Sequence, residues 1–437
     1  MKTLLIALAL LQAPTDSLPD LSHPWSLQQC IDWALEHNLT VAQQEATLER
    51  NAIDKNTADW SWVPNLNASA SENWSFGRGI GGDNTYKSGN SASTGFNLSS
   101  AMPLFDGLAT PNRIKLARLN LEAATEDLEK ARDDVRMSVA KAYVQILYNY
   151  EILDVAREQH SIDSLQVVRL KGLFENGKAS AAELSQQEAS MAQSQLTLVQ
   201  AENNVRAALL DLSQLLELPV WHGFSVQRPK LQMEQVLISS PDDIFADAVG
   251  IRPSIRAEEL RLQGTERSIR IAKAQLYPSL SLSAGLGTNY YTSFATQGFW
   301  DQMRNNFSQY VGLSLNIPIF TRFSARNQVR TAQVNYRNQE IQLQRAKNTL
   351  YKEIVQAWNG AVAARAKWES AHKAQEAAQD AFVLQQAKYE NGKATLTEFN
   401  EARNRLVKAQ SDAVQATYEY LFQTHLVEFY RGGELKL

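Results

Sequence analysis

The chain has 437 residues, 44% hydrophobic and 21% charged, with a net charge of -4 and a single cysteine, Cys30. That balance is close to the globular norm and excludes wholesale disorder. The mild acidity leaves no electrostatic footprint for nucleic acid, and one cysteine excludes an intrachain disulfide or a thiolate metal cluster.

In chain order, Met1-Lys2 leads into an apolar run from Leu4 to Leu11 and then Gln12-Ala13-Pro14. One positive charge, about eight apolar residues and a small residue read as a secretory signal peptide over 1–13, cut near Ala13. The run is too short to span a bilayer, and no later stretch approaches the roughly 20 apolar residues a membrane helix needs. A helix is expected over about 26–59. From 64 to 76 the pattern then alternates, with Leu66, Ala68, Ala70, Glu72, Trp74 and Phe76 on one side and Asn65, Asn67, Ser69, Ser71, Asn73 and Ser75 on the other. Alternation of this kind is a two-faced strand. The Gly- and Asn-rich "GRGIGGDNTYKSGN" reads as a hairpin loop, and a return strand follows at about 93–105. A long helix is expected from Asn112 to Phe174, a sharp tip at 174–180, a return helix over 180–217, and a proline-rich join over 218–241.

The same order then recurs. Strands are expected at 278–291 and 308–319 around the linker "TSFATQGFWDQMRNN", then a long helix from Ser324 to Tyr389, a tip at 389–395 and a last helix toward 432. The two tips are nearly the same text, "FENGKASAAELSQQEAS" and "YENGKATLTEFNEARN". Pro64 matches Pro278, Pro103 matches Pro318 and Gly177 matches Gly392, at offsets of 214 to 215 residues. Three motifs held in one register mean a tandem duplication, with halves at 14–217 and 242–432. Leu184, Met191, Leu198, Val205 and Leu212 recur once per heptad, as coiled-coil packing requires. Helices of about 60 to 65 residues span roughly 90–100 Å. At each tip Glu-Asn-Gly-Lys supplies the helix-ending glycine, with Ser180 or Thr395 placed to cap the next helix.

Strands of this length, apolar on one face and Ser, Asn or Gly on the other, carry the transmembrane-barrel pattern. A barrel in lipid must close, and four strands cannot close around a polar lumen, so the chain is expected to pool strands with copies of itself. Trp60, Trp62, Trp74, Tyr290, Tyr291, Trp300 and Phe320 suit interfacial girdles. The same alternation also describes a soluble sheet with one solvated face. A periplasmic coiled-coil scaffold or adaptor with a small soluble β-domain is therefore the competing reading.

Taken together, the duplicated halves, "AL" and "N" within Ala34-Leu35-Glu36-His37-Asn38, "RPSIRAEE" opening the second half, proline-initiated strands and glycine-containing tips resemble the TolC family of outer-membrane efflux proteins. The resemblance covers nearly everything after the signal peptide. It implies an α+β membrane protein with four transmembrane strands per protomer, a 12-stranded barrel in a homotrimer and a long coiled-coil periplasmic tunnel. It also implies an exit duct for a tripartite efflux or type I secretion system, contacting outer-membrane lipid, with a periplasmic adaptor (membrane fusion protein) and an inner-membrane transporter as partners. The adaptor would dock at the tips, Asn176, Gly177, Lys178, Asn391, Gly392 and Lys393. The family's gate positions fall on Glu183, Tyr389, Glu398 and Glu401, whereas its gate arginine falls on Ala394, beside Lys393. Crowded carboxylates at a narrow mouth would gather cations; the same glutamates also sit where first-turn carboxylates stabilise a helix.

Enzyme chemistry finds no support in the sequence. The six histidines are scattered, and no metal-ligand spacing, Walker loop or nucleophile elbow occurs. "GRGIGG" at 77–82 lacks the following Lys-Ser/Thr of a phosphate loop. No catalytic residue, cofactor or metal is expected.

Overall fold

The structure, a computed structural model, describes residues 21–80, 85–220, 222–229, 239–292 and 298–433. The expected signal peptide lies outside these residues, as do parts of the 218–241 join and of both hairpin loops. In chain order the elements are α1 (Leu27–His37), α2 (Leu39–Asp59), β1 (Asn67–Ser75), β2 (Arg78–Ile80), β3 (Tyr86–Ser88), β4 (Ser91–Phe105), α3 (Ala109–Glu175) and α4 (Ala181–Leu215). The second half runs α5 (Pro241–Ile251), α6 (Pro253–Ala274), β5 (Ser279–Tyr291), α7 (Phe299–Asn305), β6 (Ser308–Asn316), α8 (Ser324–Glu390) and α9 (Leu396–Tyr430). Both long helices have 67 residues, about 100 Å at 1.5 Å per residue, and both return helices have 35. Among the described residues two compact units result, each drawing on both halves of the chain: those within 46–127 and 254–346, and those within 21–45, 128–253 and 347–433.

The first of these units is built on an antiparallel four-stranded sheet in the order β1-β4-β5-β6. Its central pair joins the two halves of the chain, since β4 and β5 pair from Ser93↔Tyr291 to Phe105↔Leu280. The register puts the apolar sets together. Ala68 opposes Leu98, Leu98 opposes Leu286, Leu282 opposes Leu313 and Leu280 opposes Leu315. On the other face Ser69 opposes Asn97, Asn97 opposes Gly287 and Ser281 opposes Ser314. Successive strand side chains point to opposite faces, so the alternation seen in sequence becomes one apolar and one hydroxyl- and amide-lined surface. Val311, Leu313, Leu315, Ile317 and Ile319 are all exposed.

Three expected features are corrected. The helix expected over 26–59 is two helices, because Asn38 is in extended backbone (ψ 127°). Its carboxamide accepts from Thr40 N at 2.9 Å and donates to Leu215 O at 3.0 Å, a competition with helical bonding that asparagine side chains can win. Arg252 breaks the second half at the matching place, where Pro253 disfavours helical backbone before it. The strand expected to 319 stops at Asn316, since Pro318 has no amide to donate. The strand expected from 64 begins at Asn67.

Neither linker is plain loop. β2 and β3 pair as a small hairpin, Arg78↔Ser88 to Ile80↔Tyr86, and α7 packs on the end of β5. Gln302 is 6% exposed; its carboxamide accepts from Tyr291 N and donates to Tyr291 O, both at 3.0 Å. A strand neighbour makes this same pair of bonds, so Gln302 caps the edge of β5 beyond the end of β6. Thr288 Oγ1 donates to Met303 O at 2.6 Å, and the Tyr290 and Phe299 rings meet at 5.0 Å.

Gly285 lies under the ring of its cross-strand partner Tyr310: a Cβ there would stand 2.5 Å from Tyr310 Cε1. At Gly287 the nearest atom would be 3.7 Å away. Gly285→Ala is expected to turn the exposed Tyr310 ring aside at a cost of only about 0.5 kcal/mol, and Gly287→Ala to stay near neutral. Thermal melts of the two variants side by side check this.

Candidate functional site

The second unit contains the two helical tips, and they are built alike. At the first, Gly177 takes φ +68°, Lys178 N donates to Leu173 O at 2.7 Å, and Asn176 Nδ2 donates to Gly172 O at 2.7 Å. At the second, Gly392 takes φ +69°, Lys393 N donates to Lys388 O at 2.8 Å, and Asn391 Nδ2 donates to Ala387 O at 2.7 Å. Left-handed backbone at the residue past a helix end, with the six-to-one bond around it, is the glycine stop.

Each following helix opens with a reciprocal cap. Glu183 N donates to Ser180 Oγ at 3.2 Å while Ser180 N donates to Glu183 Oε2 at 2.8 Å. The second tip repeats this with Glu398 N to Thr395 Oγ1 at 3.2 Å and Thr395 N to Glu398 Oε2 at 2.7 Å. These bonds are made to the carboxylate form, so the backbone amides of Ser180 and Thr395 hold the Glu183 and Glu398 pKa values below the usual range.

The four expected gate residues therefore have three different surroundings. Glu183 and Glu398 are bound into caps, and Glu401 is exposed with Arg405 Nη2 at 3.7 Å. Tyr389 packs on a buried cluster of Leu170, Phe382, Leu396, Phe399 and Leu406. Its ring stacks on Phe399 at 5.0 Å and burial pushes its phenol up, against the pull of Arg169, whose Cζ lies 5.6 Å from the ring. The cation at Tyr389 thus comes from α3, a contribution that sequence reasoning did not find.

Behind the tips lies a second feature the sequence reading passed over. Asp163 on α3 and Gln187 on α4 are 0% exposed, and Arg403 and Asn400 on α9 are 3% and 8% exposed. Arg403 Nη1 donates to Asp163 Oδ1, the same oxygen accepts from Gln187 Nε2 at 2.9 Å, and Asn400 Nδ2 donates to Gln187 Oε1 at 3.3 Å. The network ties the first helical hairpin to the second. Farther along, a cavity of about 650 Å³ is lined by Asp133, Arg136 and Arg252 among others. Asp133 pairs with Arg136 at 2.8 Å and Arg252 at 3.2 Å, and Arg252 also lies on the Phe429 ring at 4.2 Å. Ion pairing and cation–π packing thus join these residues across the cavity wall.

A four-stranded sheet with one apolar and one polar face, carried with paired 67- and 35-residue helices, is an arrangement found in solved outer-membrane channels. The CmeC outer membrane channel of Campylobacter jejuni shares the fold, at TM-score 0.80 and 20% identity over 94% of this chain and 87% of that one. In sequence, the fusaric acid resistance protein FusA of Burkholderia cepacia is 28% identical over 225 residues, 49% of this chain and 40% of its own length. Outer membrane protein TolC of Escherichia coli K12 is 23% identical over 358 residues, 78% of this chain and 71% of its own. The model of the outer membrane efflux protein family matches residues 30–217 and 246–425, and the chain belongs to that family.

The depressed carboxylates give a pH signature with a definite sign. A lowered pKa contributes stability above the unfolded carboxylate's pKa and loses it as pH falls through the folded value. Protection against amide hydrogen exchange in the first turns of α4 and α9 is therefore expected to hold down to the ordinary carboxylate pKa and to drop only as pH falls below it. Glu183→Gln with Glu398→Gln should keep the caps, as Gln29 does on Ser26 in α1, and abolish that pH dependence.

Proposed function

We propose that this outer membrane efflux protein is one subunit of a homotrimeric exit duct that carries substrate from an inner-membrane transporter and a periplasmic adaptor to the exterior. The observation that carries this reading is the sheet: one face is apolar and exposed, and β1 and β6 have no strand partner on their outer edges among the described residues. In hydrocarbon each unpaired backbone amide or carbonyl costs several kcal/mol, so β6 of one subunit would pair with β1 of the next. Three copies supply twelve strands around the Ser-, Asn- and Gly-lined face, whereas two copies would supply eight, a barrel that side chains alone fill. The apolar face would meet outer-membrane lipid, and the long helices would continue the barrel as a coiled-coil tunnel in the periplasm.

On this reading 14–217 and 242–432 are tandem repeats, and the adaptor docks at Asn176–Lys178 and Asn391–Lys393. The likeness to a fusaric acid resistance protein supports export of a small molecule as well as general efflux. Threefold symmetry would turn each tip carboxylate into a ring of three, raising the local concentration of cations at the mouth. Glu401, exposed and only loosely held by Arg405, is the freest of them to face the passage.

Purified protein in planar bilayers under a KCl gradient tests this directly. A cation-selective channel is expected, and Glu398→Gln with Glu401→Gln should lower the cation-to-anion permeability ratio while leaving the Thr395 cap an acceptor. A channel of unchanged selectivity would refute the carboxylate ring, and a protein that forms no channel would refute the duct.

A further inference from the structure

From the buried polar network we infer that Asp163 and Arg403 are positioning residues: they pin the axial register of the second helical hairpin on the first, and so set the level of the tip glutamates. The inference rests on the duct reading for what those glutamates do, but the pin itself stands on contacts within one chain.

The seam around the network is apolar, with Leu170, Phe382, Leu396, Phe399 and Leu406 buried in it and Ala378 and Ala402 packed against them. Such a seam repeats every heptad, so a slip of one heptad, about 10 Å along the axis, would again bring apolar side chains together. A directional polar contact removes that degeneracy. Buried polar residues in coiled coils are best attested in the role of specifying register, at some cost in stability. Here the guanidinium and carboxylate meet in one alignment of α3 and α9, and Gln187 reads that alignment from α4 by bonding Asp163 and Asn400 at once. The network is not made for maximal bonding: Asp163 Oδ2, Asn400 Oδ1 and Arg403 Nε have no protein partner. Specification of geometry, more than net stability, is what it supplies.

The duplication sharpens the point. At the tip offset of 215 residues, Asp163 corresponds to Ala378, Gln187 to Ala402, Asn400 to Ser185 and Arg403 to Glu188. The pin thus occurs once per chain, where first hairpin meets second. In a ring of duplicated subunits the other hairpin contact, between neighbours, would have no equivalent ion pair. Each chain's four tip helices would then keep one register as a body, with sliding confined to the subunit boundaries.

The test compares the unmodified protein with Asp163→Leu plus Arg403→Leu, which removes both charges and orphans neither, and with Arg403→Lys, which keeps the charge and loses the planar fork. Spin labels at Lys178→Cys and Lys393→Cys, in assemblies carrying one labelled subunit, report register; the native Cys30 is buried. One narrow distance is expected with the pin intact and a broad distribution in the double variant, with Arg403→Lys in between. In bilayers the double variant should show several conductance levels and a cation-to-anion ratio lower by about twofold or more. If it fails to assemble, Arg403→Lys decides by the same two readouts. Narrow, unshifted distances in the assembled variants would overturn the pin. Broadened distances with unchanged selectivity would leave the register role standing and remove its link to the glutamates.

Discussion

Everything in this molecule answers to the backbone amides on the outer edges of β1 and β6. In the proposed membrane setting, a sheet with its apolar face to lipid cannot leave such groups unpaired in hydrocarbon, because no water is there to satisfy them. The chain solves part of the problem internally. It pairs β4 with β5 across some two hundred residues of sequence, making one sheet from two hairpins, and it closes the exposed end of β5 with the carboxamide of Gln302. The edges that remain are the ones the proposed assembly would pair, and the exposed aliphatic row from Val311 to Ile319 is the surface it would turn to lipid.

The tips show the same economy of means. A left-handed glycine and a reciprocal cap reverse the chain within a few residues, twice, with the same bonds. That geometry fixes the first-turn glutamates to their own backbone, which makes Glu183 and Glu398 structural whatever else they do. A conducting role for them and a capping role are compatible, because a carboxylate has two oxygens and each cap's bonds engage only Oε2. Glu401 has no such duty. Tyr389, by contrast, belongs to the apolar cluster that holds the two hairpins together.

Much of this was legible in the sequence because it is periodic or punctuated. Alternation pointed to the four long strands, a heptad ran along the return helix α4, and Glu-Asn-Gly-Lys marked both tips. The misses were local competitions that periodicity does not register. Asn38 interrupts a helical pattern through its own side chain, and Gln302 builds a short helix in a linker whose composition reads as loop. The Asp163–Arg403 network was missed for a different reason. Gln187 falls three residues after Leu184, on the apolar seam, and Arg403 falls four after Phe399; polar residues at seam positions were the available signal, but their partners lie on other helices, 24 to 240 residues away. Arg169 reaches the Tyr389 ring from another helix, a contact that could not be found by aligning the tip alone.

The central claim is that one copy of this sheet is insufficient in a membrane and that three copies complete it. The mass of the protein extracted from outer membranes in mild detergent, measured intact, tests it most directly. The account predicts an assembly of three chains that dissociates on heating. A folded single chain, monodisperse in plain buffer without detergent, would contradict it.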